Sequence, residues 1–344
     1  MSGARDAAGM KFDLYPGVGL TLADAAEWAS LTESTGFDGL WALEAAREPF
    51  GPLALAAEHS HRIDIYTGVA VAFARNPMIM AQQAHELQRY SQGRFHLGLG
   101  SQVRPHIERR FSEAWSTPVR RMADYIRALR AIWQAWNDRE PLCYEGEFYR
   151  HTLMTPMFDP GPSGQPPPRI LVAGVGAQMI QMAARDADGL ILHPLSSRRT
   201  VEQAVLPLVR DRVTRGGFEV ACPVLVVTGS TAEETEAVRA AVRKQLAFYA
   251  STPAYRWVLE LHGEGERADE LRAMSRAGRW DDMTELITDE LLHAFSVEAP
   301  PELLPDALRA RFGGVLQRVA LYTPHPLRAQ TWQTVAAAVE SLMP

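Results

Sequence analysis

Short β-branched or apolar runs alternate eight times with longer amphipathic stretches along these 344 residues, and few architectures accept such an order. The runs lie at residues 10–15 (MKFDLY), 37–43 (FDGLWAL), 63–71 (IDIYTGVAV), 95–99 (FHLGL), 169–173 (RILVA), 189–193 (GLILH), 223–228 (PVLVVT) and 316–322 (LQRVALY). Helical patterns occupy 21–35, 52–60, 77–90, 118–136, 176–186, 200–216, 232–249 and 326–342. Runs such as ILVA and GLILH are apolar throughout, which suits strands of a parallel sheet covered on both faces. Eight strands, each followed by a helix, is the count of a closed (β/α)8 TIM barrel. An open doubly wound sheet needs a reversal of strand order and no closing strand, and accounts for the count less well.

The expected organisation is one α/β domain over residues 10–344, preceded by a disordered tail over 1–9. Two stretches interrupt the alternation, at 137–168 and 253–312. In the first, LCYEGEFY reads as a hairpin and DPGPSGQPPP as a loop dictated by proline and glycine. The second reads as largely helical. Placed after strands four and seven, both are expected to roof the C-terminal face, where barrel enzymes carry their sites. Their aromatic residues, Tyr144, Phe148, Tyr149, Tyr255 and Trp257, with Tyr249 just before the second, point to an apolar organic substrate.

Charge narrows the partners. A formal net charge of −6, with both signs interspersed, gives no basic face for nucleic acid. The two cysteines, Cys143 and Cys222, stand in no metal-binding or disulfide spacing, so neither a metal nor a disulfide framework is expected. Residues 1–9 lack the apolar core of a signal peptide, and no apolar run approaches the roughly 18 residues of a membrane span. A soluble cytoplasmic protein is expected.

Three segments at strand ends carry candidate chemistry. Gly68 interrupts the third run (TGVAVAFARNP), where a glycine marks a bulge or a close backbone approach, or simply eases packing in the barrel wall. The fourth run ends in GLGSQ, removing side chains where a flat ring or phosphate approaches, with Ser101 and Gln102 as polar partners; a tight strand-to-loop turn reads the same way. The third segment, VAGVGAQM at 172–179, turns from strand to helix through Gly174 and Gly176. Amides at that helix start make an anion site. Met179 occupies the third glycine position of a dinucleotide fingerprint and no acidic ribose partner follows, so a single phosphate fits better than a dinucleotide.

Together these segments resemble the bacterial luciferase-like family. The strongest match runs from TGVAVAFARNP through AQQAHELQRYSQGRFHLGLGSQVRPHIERRF; further matches are GFDGLWALE before it, at strand two, and GEFYRH, VAGVGAQM and DADGLILHP after it. Within that family the chain looks closest to the oxidoreductases dependent on coenzyme F420, a deazaflavin. The resemblance implies a non-prolyl cis peptide at Gly68–Val69, with Ala70 beside it, against the back of the ring. It also implies contacts from Ser101 and Gln102 to the ribityl side, and a phosphate held over Ala173, Gly174, Val175, Gly176, Ala177 and Gln178. A homodimer and a small-molecule or peptide substrate are the expected partners. The sugar-phosphate dehydrogenase branch has an Asp-His pair after strand two and a glutamate after the strand-four glycines. This chain has Glu44-Ala45 and Val103 there, which argues against a sugar phosphate.

On barrel geometry Glu44, His193 and His106 stand toward the mouth and are the candidate proton-handling residues. Trp41, Phe73 and Tyr322 are candidate pocket-lining aromatics, each equally suited to the core. Arg104 is a candidate partner for an anionic cofactor tail. The function expected is hydride transfer between deazaflavin C5 and a small organic substrate. A two-component monooxygenase using reduced FMN and oxygen, and a catalytically silent cofactor-binding protein, remain as alternatives.

Overall fold

The computed structural model describes residues 9–17 and 20–342, so the expected tail lies, apart from Gly9, outside the described residues. Eight parallel strands form a closed cylinder: β1 (Lys11–Tyr15), β2 (Gly39–Ala42), β3 (Asp64–Thr67), β4 (Phe95–Gly100), β5 (Arg169–Ala173), β6 (Gly189–Ile191), β7 (Glu219–Val227) and β8 (Arg318–Tyr322). Each pairs with the next in chain order, and β8 closes on β1 with Lys11 opposite Arg318 and Tyr15 opposite Tyr322. The chain is therefore a (β/α)8 TIM barrel, as the alternation predicts. No open edge remains around the eight strands.

The outer helices are α1 (Ala25–Ser34), α2 (Phe50–Glu58), α3 (Pro77–Tyr90), α4 (Pro118–Asp138), α5 (Ala177–Asp186), α6 (Leu206–Arg215), α7 (Ala232–Ala250) and α8 (Ala329–Ser341). Local chemistry sets several of their starts. Asn76 accepts from the Ile79 amide with Pro77 in the first turn of α3, and Thr231 accepts from the Glu234 amide at α7. Helix α5 alone begins on a bare glycine, Gly176, with no side-chain cap, at the turn read as an anion site.

The run at 63–71 is not one strand. It breaks after Thr67, and Ala70–Val71 resumes pairing with Leu99 and Gly100 of β4. Between them the Gly68–Val69 peptide is cis. Gly68 donates to the Ala42 carbonyl, and the Val69 carbonyl accepts from Glu44 N–H. A Cβ on Gly68 would stand 2.3 Å from Trp41 Cε3, so only glycine fits over that indole.

The floor of the barrel is ionic, which the apolar strand pattern conceals. Arg318, the first residue of β8, donates to Asp13 at 2.6 and 2.8 Å and to Asp64 at 2.6 Å. Trp41 Nε1 donates to Asp13 at 2.6 Å. Tyr66 donates to Glu219 and stacks between Trp41 and His96, with ring centroids at 5.0 and 4.3 Å. Buried charges persist only when paired, and here the pairing comes from five different strands.

The first insertion departs from its expected place, whereas the second brings its start, Ala254 and Tyr255, to the mouth of the barrel. The segment after α4 does form a small antiparallel hairpin, Tyr144–Glu145 with Arg150–His151. It packs back along α4: Asp124 accepts from the Tyr144 hydroxyl and from the Phe148 and Tyr149 amides. The segment after α7 is helical, with Gly265–Arg276 its longest helix, but also contains a strand, Ser296–Glu298. That strand pairs with Leu225–Val227 of β7, beyond the point where short β6 ends.

Candidate active site

A cavity of about 810 Å³ opens at the C-terminal ends of the strands. Its size is that of a site for a cofactor-sized molecule. Three backbone segments wall it, and they are the three singled out in the sequence. Gly68, Val69 and Val71 form one side, Gly100 to Arg104 the second, and Ala173 to Met179 the third. Ala70 is fully buried and does not reach the cavity, because the extended backbone turns it outward into the core.

The third wall contains the start of α5. The first amides of α5 have no intrahelical acceptor, and no side chain caps them. A Cβ on Gly176 would meet nothing within 4 Å, so the helix end is open. Opposite, Ser101 and Gln102 line the cavity, Gln102 in the left-handed region at φ 57°. Arg104 lies on the rim and pairs with Glu108 at 2.9 Å.

Of the candidate proton-handling residues, two line the cavity and one does not. Glu44 does, but its oxygens are taken. Oε2 accepts from the Val71 amide at 2.7 Å, and both oxygens accept from Arg75 Nη1 at 2.8 and 2.7 Å. That pair clamps the start of the Ala70–Val71 strand, leaving Glu44 as a brace rather than a free base. His106 is exposed on the short helix Arg104–Arg109 and is absent from the lining, because that helix buries Ile107 and turns His106 to solvent.

His193 is at the cavity wall. Its Nδ1 accepts from the Leu195 amide at 3.1 Å. Tyr255 stacks on its face at 4.1 Å, and Tyr249 meets it edge-on at 4.4 Å. Burial pushes its pKa down to about 3, so the imidazole is uncharged at neutral pH. A histidine that titrates near pH 7, as expected from its residue type, is not what the structure holds.

The aromatic expectations need correction as well. Trp41 is fully buried inside the barrel, beneath Gly68 and bonded to Asp13. Phe73 is in the core between Trp115 and the Arg121 guanidinium. Tyr322 is buried edge-on to Tyr15 at 5.0 Å, behind the lining. The residues that do line the cavity at this end are Tyr15, Trp115, Tyr249 and Tyr255. Tyr15 donates to the Gly68 carbonyl at 3.3 Å. It is the last residue of β1, and that position at a barrel mouth is the signal that could have found it. Neither hairpin residue nor any residue of 256–312 lines the cavity; Trp257 borders only a small adjoining pocket.

Residues 8–317 match the family model described as luciferase-like monooxygenase. An uncharacterized protein of Mycobacterium tuberculosis is 51% identical over 303 residues, covering 87% of this chain and 89% of its own. The 5,10-methylenetetrahydromethanopterin reductase of Archaeoglobus fulgidus is 25% identical over 286 residues, covering 80% of this chain and 82% of its own. Among solved structures, the coenzyme F420 dependent tetrahydromethanopterin reductase from Methanopyrus kandleri superposes with a TM-score of 0.76 over 96% of this chain and 98% of its own, at 18% identity.

Proposed function

The chain belongs to the luciferase-like monooxygenase family, and on that footing we propose that it is an F420-dependent oxidoreductase that reduces or oxidises a small organic substrate. The observation that carries this reading is the uncapped start of α5, open to the same cavity as the Gly68–Val69 backbone and the bare end of β4. A flat ring with a phosphate on a flexible arm matches that layout. The group fits: the cavity has the volume, Gly176 leaves the helix end clear, and glycines remove side chains from the walls. Bound deazaflavin supplies hydride exchange at its C5.

The chain's own residues have defined tasks. Gly68 and Val69 present backbone to one face of the ring. The amides of Gly176, Ala177 and Gln178 take the phosphate at the positive end of the helix dipole. Ser101 and Gln102 would offer polar atoms to the linking chain, and Arg104, exposed on the rim, would be the cation available to an anionic tail. Glu44 and Arg75 hold the wall in shape. Of the two reductases above, the one from Methanopyrus kandleri carries coenzyme F420 in its name, which favours F420 over FMN. Titration of the apo-protein with each oxidised cofactor is the test: micromolar F420 binding is expected, and FMN binding without F420 binding overturns the reading.

A further inference from the structure

The hairpin that follows α4 does not reach the cavity, yet it has a hold on one of the cavity walls. That wall includes the segment 110–117, which has no regular structure and joins the short helix Arg104–Arg109 to α4. Trp115 alone of this segment lines the cavity. None of its eight residues is buried, and five are exposed. A segment with so little burial takes its order from a few ties rather than from packing of its own.

Those ties can be named. Arg110 donates to the Ala45 carbonyl, and the Glu113 amide donates to the Ile107 carbonyl at 3.0 Å, which fixes the first half of the segment. Next to Trp115 the tie is Arg121, whose Nη1 donates to the Ala114 carbonyl at 2.6 Å. Nε of the same guanidinium donates to the Tyr149 hydroxyl of the hairpin at 2.7 Å. Its central carbon stands 4.5 Å from the centre of the Phe73 ring, and Phe73 meets Trp115 edge-on at 6.2 Å. Tyr149 is anchored in turn: its amide donates to Asp124 at 3.1 Å, and its ring meets buried Tyr125 edge-on at 5.4 Å. A guanidinium suits this place, because its planar fork bonds in two directions while its face rests on an aromatic ring.

We infer that Arg121 is a positioning residue of the candidate site: it couples the hairpin, through Tyr149, to the segment that carries Trp115, and so sets the wall against which a cavity ligand packs. The inference rests on the proposed cofactor reading for the identity of that ligand, but the coupling itself is measurable without one. Arg121 is absent from the cavity lining and acts through its neighbours. Without it, the segment keeps its ties at Arg110 and Glu113 and loses the one beside Trp115. The indole then leaves the wall part of the time, and a ligand has to order it again on binding, which lowers affinity.

The test uses the full chain. Emission from Trp115 is isolated as the difference between each protein and the same protein carrying Trp115→Phe, and its quenching by acrylamide is measured in the apo-protein. Arg121→Met keeps bulk over Phe73 and loses both hydrogen bonds. Its Trp115 quenching constant is expected to rise at least twofold, and its F420 affinity to fall about tenfold. Tyr149→Phe removes only the hydroxyl and is expected to move both values in the same direction by a smaller factor, which keeps the inference falsifiable should Arg121→Met not fold. Arg130→Met, which breaks the ion pair to Asp188 further along the same helix, is expected to leave both at wild-type values. Unchanged quenching in folded Arg121→Met (or in Tyr149→Phe if that variant does not fold) overturns the inference. So does an equal rise in Arg130→Met, which would place the effect in helix stability, or raised quenching with unchanged F420 affinity. Failure of the wild-type chain to bind F420 sinks the cofactor reading instead, and the apo-protein quenching still decides the coupling.

Discussion

His193 shows at the scale of one residue how environment rewrites ordinary chemistry. Its folded pKa of about 3 lies below the usual histidine value near 6.5. The unfolded chain thus binds a proton that the native state refuses between these limits. By linkage, stability is complete above about pH 6.5 and falls as pH drops toward 3, by up to about 1.4 kcal/mol per unit from this group. Urea unfolding at pH 7 and pH 5 is expected to show a smaller acid loss in His193→Asn than in the wild type. Equal losses would mean that the imidazole is solvated in the native state. Gly68 gives a second residue-scale prediction. The Cβ of Gly68→Ala would meet the Trp41 ring, which is itself stacked on Tyr66 and bonded to Asp13, so neither partner yields cheaply. A loss of about 1–3 kcal/mol in denaturant unfolding is expected, the cost typical of overpacking a filled interior.

Helix α5 and the strand segment Ala70–Val71 are the elements on which the site depends. Gly176 is extended at φ −94° and ψ 153°, a conformation that an aspartate cap adopts readily. Gly176→Asp should therefore cap the helix and leave the melting temperature unchanged or slightly higher. The same carboxylate would occupy the anion position and repel a phosphate, and F420 affinity is expected to fall at least tenfold. Stability and affinity moving in opposite directions distinguishes a cofactor site from a merely structural helix start; parallel loss of both would argue against it. Across the cavity, Glu44→Ala leaves Arg75 mostly buried and unpaired, with the Val71 amide bare. A destabilisation of about 3 kcal/mol is expected in denaturant melts. Glu44→Ala protein that stays as stable as the wild type would show that the brace is dispensable.

For the whole molecule, the ionic floor ties the chain ends of the barrel together. Arg318 and Asp13 are 305 positions apart in sequence, and their contact joins the closing strand to the first. Arg318→Met strands the buried Asp13 without a cation and is expected to cost about 3–5 kcal/mol or to prevent folding. Removing both charges in Asp13→Leu/Arg318→Met should recover part of that loss, because two apolar side chains leave fewer ions unpaired. A double variant no more stable than the single one would place the cost in packing rather than in charge. Asp64 keeps two further partners in the double variant, Lys11 and His96, at 3.2 and 3.5 Å.

Local pattern alone determined the architecture. Continuous apolar runs separated by helical periods dictate a parallel sheet covered on both faces, and eight of them close; the helix at Pro77–Tyr90 and the strand at Arg169–Ala173 are legible to the residue. The three glycine-bearing strand ends were legible too, because glycine at the end of a barrel strand announces close approach of backbone. Side-chain direction was not. Trp41, Phe73 and Tyr322 are aromatic near the mouth, yet the strand pleat or a local turn sends each inward. Tyr15, from the other end of the chain, takes a place in the lining beside Tyr255. The state of His193 and the pairing of Glu44 with Arg75 also waited on the tertiary structure. Desolvation and hydrogen-bond pairing depend on which distant segments come within a few ångströms, and no local pattern in a chain encodes that distance.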